Sequence, residues 1–277
     1  MKMKMKKLLL SFGIASILFN VNAAENLLKS GDGEDAELVG KWGQGTIQNT
    51  TDKKSGFACM ENSFAARNFT FAPELIGVDP AKTYKLSGFF RSGDKDKKSK
   101  TMLCIRYYNS DKKEIDPWSV IPVPDTATTL SADAKRGDKT LRVVPKEWSR
   151  HKAMLYAVAF NVKDDLSDLP NFNTSPIAEV SAKGEYNEIT LNEPLSQDYP
   201  AGTKVRMHRY LDYMAIVNEV PAEWTEYSIS ISGEAEGGAP AKNKFWNGTK
   251  FIKVSIFGMN VAPLLFDDIA FQEVMQK

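Results

Sequence analysis

Short runs of aromatic and aliphatic residues recur along the chain, and clusters of Gly, Pro, Asp and Asn separate them. Many short strands with turns between them are typical of a β-sandwich or a β-barrel. The runs lie at residues 57–60, 68–71, 84–90, 102–108, 227–231, 251–257 and 264–271. No sustained 3.6-residue stripe is present, and only residues 221–224 suggest a single helical turn. The pattern predicts an all-β protein.

The middle of the chain carries a second group of short apolar runs with their own Gly and Pro punctuation. They lie at residues 137–143, 157–160, 177–180, 188–191 and 202–206, spaced like the strands of a small barrel. Exposed loop tips tolerate inserted domains, and a structureless loop of this length would be unusual. We therefore predict a discontinuous sandwich, residues 24–125 plus 217–277, with an inserted β-barrel-like domain at 126–216. A continuous sandwich with a long excursion is the alternative.

The N-terminus has the three parts of a secretory signal peptide. Residues 1–7 carry four lysines and no acid, residues 8–19 are apolar, and Ala23 ends a run of small residues. A membrane span needs about 20 apolar residues, so the run is too short for one. We predict a signal peptide at 1–23 and bacterial export to the periplasm or the exterior. The mature chain is then expected to have no transmembrane segment.

Net charge and cysteine content bear on two further questions: whether the chain binds nucleic acid and whether it forms a disulfide. The chain has 36 basic and 35 acidic residues, and its basic run at 95–100 is typical of a solvated hairpin tip. We therefore expect no nucleic-acid partner. Export permits a disulfide between Cys59 and Cys104. Both lie in apolar, strand-like stretches, where a free Cys behaves as a small hydrophobe, which favours two separate buried thiols.

A family resemblance rests on several short sequence segments that occur in a fixed order. They are residues 26–28, 32–34, 78–88, 107–111, 114–115, 224–227 and 265–269. Together these segments resemble the galactose-binding-like jelly-roll carbohydrate-binding modules that are attached to bacterial glycoside hydrolases. The resemblance implies a jelly-roll β-sandwich that binds a glycan or polysaccharide without catalysis. The chain departs from the family at Gly31, where a bulkier aromatic residue usually precedes the acidic one.

A carboxylate in the last apolar run needs an explanation. If Leu265, Ile269 and Phe271 face the core, the alternation of a strand places Asp267 inward as well. A buried carboxylate needs a partner, and modules of this kind often carry a structural calcium that joins their first and last strands. The resemblance implies these calcium ligands: Asp32, Glu34 and Asp267. The alternative is that backbone N–H groups of a neighbouring loop satisfy Asp267.

Sugar recognition uses aromatic planes and a few polar groups. If Leu103, Ile105 and Tyr107 are core residues, Arg106 and Tyr108 share the opposite face of their strand. The remaining candidates are a strand-end arginine beside the cleft and two loop tryptophans as stacking walls. Core packing is the alternative for either indole. The predicted ligand-binding residues are Arg91, Arg106, Tyr108, Trp118 and Trp246.

Catalytic signatures are missing from the sequence. The chain has two histidines, His151 and His208, without metal-ligand spacing. It also lacks a G-x-S-x-G elbow, a phosphate loop and a dinucleotide fingerprint. We therefore predict a secreted, non-enzymatic carbohydrate-binding protein. The alternatives are a structural or adhesive surface protein whose insert makes protein contacts, and an accessory subunit of a glycoside hydrolase. The sequence identifies neither the sugar nor the oligomeric state.

Overall fold

The computed structural model describes residues 25–274 except 44, 64–66, 98, 151–154, 211–213, 236–240 and 260–261. The signal peptide predicted at residues 1–23 lies outside the described residues, as does His151. No helix in the described part of the chain is long and apolar enough to cross a membrane.

Strands dominate the described residues, and the predicted all-β class is confirmed. The strands are β1 (Thr46–Asn49), β2 (Cys59–Asn62), β3 (Arg67–Phe71), β4 (Ile76–Gly77), β5 (Thr83–Ser92), β6 (Ser99–Tyr108), β7 (Glu114–Ile115), β8 (Thr128–Thr129), β9 (Thr140–Val143), β10 (Tyr156–Phe160), β11 (Thr174–Ala182), β12 (Asn187–Leu191), β13 (Lys204–Arg209), β14 (Met214–Val220), β15 (Thr225–Ser232), β16 (Phe251–Met259) and β17 (Leu264–Glu273). Each of the predicted apolar runs overlaps one of these strands. The predicted helical turn at 221–224 is wrong, because these residues form a bend that leads into β15.

Helices are short and form where the local sequence provides a cap. The helices are α1 (Ala36–Gly40), α2 (Pro117–Val120) and a 3-10 helix (Glu147–Arg150). The Asp35 carboxylate accepts hydrogen bonds from two backbone N–H groups of the first turn of α1. The Asp116 carboxylate caps α2 by accepting from the Ser119 backbone N–H, and the proline that follows Asp116 occupies the first helical position.

Two antiparallel sheets form the sandwich. The front sheet has the strand order β1-β2-β17-β5-β15. The back sheet has the order β14-β6-β16-β3, with β4 paired to β16 and β7 paired to β6. Both sheets contribute to one core, in which Phe90 and Phe266 of the front sheet meet Leu103, Ile105 and Val254 of the back sheet. The predicted β-sandwich is confirmed.

The middle of the chain forms a separate sheet with the order β8-β13-β10-β11-β12-β9. An isolated bridge between Leu130 and Val143 joins the two ends of this order, so the sheet closes on itself as a small barrel. Its interior is a second apolar cluster, centred on Trp148 and Phe160. Trp148 is fully buried, and its indole N–H donates to the Thr126 carbonyl at 2.8 Å.

The boundaries of the inserted barrel differ from those predicted. Strand β14 begins at Met214, inside the predicted insert, yet it pairs with β6 of the sandwich. Val123, predicted in the sandwich, belongs to the barrel core, and its N–H donates to the Met207 carbonyl at 2.8 Å. Pairing with the barrel already begins at Val123, between Pro122 and Pro124. The boundary predicted from the sequence therefore does not coincide with the point where the chain passes from one sheet to the other.

The two cysteines are free and buried, which confirms the interpretation of two separate thiols. Cys59 lies on β2 of the front sheet, and Cys104 lies on β6 of the back sheet. Burial, reinforced by nearby carboxylates, raises the pKa of Cys59 to about 12. That thiol is therefore an inert packing group at neutral pH.

A buried polar network joins the barrel to α2. Arg206, only 4% exposed, donates from Nη2 to Asp168 at 2.9 Å and from Nε to His208 Nε2 at 3.0 Å. Since Nε2 of His208 accepts the hydrogen bond from Arg206, Nδ1 must carry the single ring hydrogen, and it donates to the Trp118 carbonyl in α2. The network requires a neutral imidazole.

The neutral imidazole makes the barrel sensitive to acid. Burial, reinforced by the Arg206 charge, lowers the pKa of His208 from 6.5 to about 4. Between these values the unfolded chain binds a proton that the folded chain does not. The titration of His208 by itself should lower the free energy of unfolding by about 2–3 kcal/mol as the pH drops from 7 to 4. Urea unfolding at a series of pH values measures this loss.

A histidine variant provides the control. His208→Asn keeps a neutral polar group but removes the titration, so the stability of the parent relative to the variant should fall as the pH drops from 7 to 4. Equal pH slopes for parent and variant would contradict the assignment.

Candidate functional site

Aromatic side chains line the outer surface of the back sheet. In β6, Leu103, Ile105 and Tyr107 are core residues, so the residues between them point away from the core. The same alternation in β16 turns Phe251 and Phe257 outward. The outward residues that form this surface, which we call the aromatic face, are Phe69, Phe71, Met102, Arg106, Tyr108, Phe251 and Phe257.

Close ring contacts organise the aromatic face. Phe69 packs on Phe257 with ring centroids 4.4 Å apart and on Phe71 at 5.8 Å. The guanidinium of Arg106 lies 4.7 Å from the centroid of the Phe69 ring and 5.6 Å from that of Phe71. These side chains are half-buried, so they present edges and faces to solvent while holding one another in place. The surface is therefore pre-organised.

A polar group borders the rings. Arg106 Nη1 donates to the Glu114 carboxylate at 3.0 Å, and the Arg106 side chain is only 13% exposed. Tyr108 is paired with Glu114 across β6 and β7. Burial and the nearby Glu114 carboxylate raise the pKa of Tyr108 above its usual value, so its hydroxyl is protonated at neutral pH. Arg106, Glu114 and Tyr108 form a polar edge beside the aromatic rings.

The other three predicted ligand residues lie elsewhere. Arg91 is on β5 of the front sheet, on the opposite side of the sandwich, and pairs with Asp52 at 2.7 Å. Trp118 lies in α2 beside the barrel, where its ring meets Tyr210 edge-on at 5.4 Å. The structure therefore does not bring Arg91 or Trp118 to the aromatic face.

The prediction that Trp246 is an exposed stacking wall is wrong. The side chain is 5% exposed and stacks on the core residue Tyr107, with ring centroids 4.7 Å apart. The loop turns inward here, since the neighbouring Phe245 is fully buried. The Thr249 hydroxyl closes the turn by donating to the Trp246 carbonyl at 2.6 Å. The stated alternative, core packing, describes this residue.

The predicted orientation of Asp267 is also wrong. Leu264 and Phe266 are core residues, so Asp267 points to the outer side of the front sheet. A register shift between Asp267 and Ala270 then returns Ile269 to the core. Asp268, at the shift, has a left-handed φ of 48°. A β-bulge therefore reverses the alternation on which the prediction depended.

Asp267 is nevertheless fully buried, because the loop at residues 52–57 covers it. Its Oδ2 accepts hydrogen bonds from the backbone N–H groups of Lys54 at 3.0 Å and Ser55 at 3.2 Å. Burial raises the pKa of Asp267 to about 6, although these donors oppose the shift. Capping by loop N–H groups, the second of the two sequence interpretations, describes this carboxylate.

The predicted calcium ligands do not form a common site. Both carboxylate oxygens of Glu34 accept from the Phe57 N–H, at 3.0 and 3.2 Å, while Asp32 is exposed and accepts from the Glu34 N–H. Glu34 and Asp267 thus both accept hydrogen bonds from backbone N–H groups of the same loop. No group of three His, Cys, Asp or Glu side chains among the described residues could hold a metal ion.

Sequence reasoning missed the phenylalanines of the aromatic face. Phe69 and Phe71 belong to an apolar run that was recognised as a strand, but nothing local shows which surface they share. Their position beside Arg106 follows from the pairing of β3 and β6 with opposite sides of β16. The alternation of Phe251 and Phe257 with core residues was the available signal.

Comparison with known proteins gives similarities at low identity. No protein-family model and no curated protein matches the chain. Among solved structures, the CBM22-1 xylan-binding domain of Paenibacillus barcinonensis Xyn10C is 7% identical, with a TM-score of 0.40 over 92% of this chain and 98% of that one. A family 16 carbohydrate-binding module-2 is 10% identical, with a TM-score of 0.37 over 89% of this chain and 99% of that one. Neither similarity shows which ligand this chain binds.

Proposed function

We propose that this chain is a non-catalytic carbohydrate-binding protein whose sandwich takes a polysaccharide or glycan on the aromatic face. The observation that carries the proposal is the cluster of half-exposed phenylalanines beside the Arg106–Glu114 pair and Tyr108. An aromatic surface rimmed by a few fixed polar groups matches the two kinds of surface on a sugar ring.

The chemistry of each part is complementary to a pyranose. The apolar C–H face of a sugar packs against an aromatic ring, as a flat apolar surface does. Glu114 can accept hydrogen bonds from hydroxyl groups, and the protonated Tyr108 can both donate and accept them. Arg106 holds the Glu114 carboxylate in place and is itself held between that carboxylate and the Phe69 ring.

Secretion belongs to the same proposal. The charged head, the apolar run and the small residues at 1–23 support export and cleavage near Ala24. N-terminal sequencing of the protein recovered from outside the cytoplasm tests this. A mature chain that begins at Met1 would contradict it.

The aromatic face is tested by substituting Tyr108. Tyr108→Ala should weaken retention on a panel of immobilised neutral polysaccharides by about 3–10-fold, the loss expected for one aromatic contact. Arg106→Lys keeps the charge but loses the planar fork that holds Glu114, so it should weaken retention as well. Affinity electrophoresis measures both effects.

Tyr186→Ala is the matched control, since Tyr186 also lies beside an arginine, with Arg142 4.9 Å from its ring centroid, but on the barrel. Retention should be unchanged in this variant, and melting curves should show that all three variants fold. If Tyr108→Ala binds as tightly as the parent, the aromatic face is not the glycan site.

A further inference from the structure

A polar cleft lies on the inserted barrel. It has a volume of about 550 Å³ and lies between the loop at residues 161–173 and the loop at 194–199. Its side-chain groups are mostly amides and hydroxyls: Asn161, Asn171, Asn173, Ser196 and Gln197, with Phe172 at one wall. We propose that this cleft is a second binding site, for a neutral, hydroxyl-rich ligand such as a monosaccharide or short oligosaccharide.

The longer wall of the cleft is rigid. Asn171 is 6% exposed, and its Nδ2 donates to the Phe160 carbonyl and to Asp168 Oδ2, each at 3.0 Å. Its Oδ1 accepts from the Asn173 N–H at 2.9 Å. Arg206 Nη2 donates to Asp168 Oδ2 at 2.9 Å and so fixes the Asp168 carboxylate. A wall fixed in this way loses little conformational freedom when a ligand binds.

A tyrosine orients one amide from each wall of the cleft. The Tyr199 hydroxyl donates to Asn173 Oδ1 and accepts from Gln197 Nε2 at 2.9 Å. Tyr199 is itself 4% exposed and stacks on Phe160 with centroids 4.0 Å apart. Among the described residues, the Nδ2 group of Asn173 and the Oε1 atom of Gln197 have no hydrogen-bond partner. The cleft therefore presents a fixed donor next to a fixed acceptor.

The charge of the cleft selects the class of ligand. Asp168 is the one charged residue of the lining, and Arg206, Asn171 and the Lys163 N–H already occupy its carboxylate. An ionic ligand would thus meet no free counter-charge in the lining. Hydroxyl groups, which both donate and accept, pair with amides of either orientation. The volume lies in the range of roughly 300–1,000 Å³ that is usual for small-ligand sites.

The experiment uses the full mature chain with ¹⁵N labelling and titrates it with glucose, galactose, mannose, xylose and their short oligomers. We expect at least one saccharide to shift the side-chain amide signals of Asn173 and Gln197. Gln197→Ala, at an exposed position, should weaken that binding about 3–10-fold, since one neutral hydrogen bond is lost. Asn192→Ala, which removes an exposed amide outside the cleft lining, should leave it unchanged.

The two proposed sites can fail separately. Tyr108→Ala should leave the signals of the cleft responsive, and Gln197→Ala should leave polysaccharide retention at the aromatic face intact. If none of the saccharides shifts the cleft amides, or if Gln197→Ala and Asn192→Ala bind alike, the second site is wrong whatever the result at the aromatic face. Binding of a free uronate or sulfate in place of neutral sugars would overturn the ligand class.

Discussion

Replacing Asp168 by Ala is expected to lower the free energy of unfolding by about 3–5 kcal/mol, because it leaves a buried charge without its partner. The side chains of Asp168 and Arg206 are 7% and 5% exposed and lie 2.9 Å apart. Burial already lowers the pKa of Arg206, and the Asp168 carboxylate opposes that shift. Without the carboxylate, the guanidinium must stay buried and unpaired or draw water into the barrel. Urea unfolding followed by circular dichroism measures the loss.

An exposed ion pair in the same loop provides the control. Asp164 lies 2.6 Å from Lys204, but these side chains are 77% and 53% exposed. Water screens such a pair, so Asp164→Ala should change stability little. Similar losses in both variants would show that the loop as a whole, rather than the buried pair, is responsible.

Phe266→Ala should also cost about 3–5 kcal/mol, this time in the sandwich. The ring is fully buried at the centre of the core, 5.7 Å from the Trp42 centroid and 6.3 Å from that of Phe90. Truncation removes apolar burial from both neighbours and leaves a cavity that a β-sheet backbone cannot easily close. The shift of the urea midpoint at a constant slope measures this effect.

Phe57→Ala is the matched control for Phe266. Phe57 is 56% exposed in the loop over Asp267. Its hydrogen bonds are made by the backbone, since the N–H donates to Glu34 and the carbonyl accepts from Lys53 Nζ at 3.3 Å. Loss of an exposed ring should stay within about 0.5 kcal/mol. A large loss at Phe57 would mean that the loop contributes to the stability of the sandwich through this side chain.

Two separate ligand sites would matter most on a polymeric ligand. A chain that holds one stretch of a polysaccharide at the aromatic face and another at the amide cleft binds the second stretch at a high effective concentration. Weak individual sites can then retain a polymer. This consequence rests on both proposals, and the double variant Tyr108→Ala, Gln197→Ala should lose more retention than either single variant.

The alternation of side chains within a strand could be predicted from sequence wherever the strand was regular. Leu103, Ile105 and Tyr107 in the core place Arg106 and Tyr108 outside, because successive residues of a strand point to opposite faces. Local turn signals likewise separated the strands of the sandwich from those of the barrel. These features depend on backbone geometry over a few residues, and the local sequence pattern indicates that geometry directly.

Long-range pairing decided the rest. The aromatic face exists because β3 and β6 flank β16 in one register, although β3 and β16 are far apart in the chain. Asp267 was assigned to the wrong face because a bulge reversed the alternation, and its partners, the N–H groups of Lys54 and Ser55, lie more than two hundred residues away. Trp246 is buried because a loop turns inward. Register, bulges and loop paths are set by the free energy of the whole assembled core. A local sequence pattern therefore does not predict them.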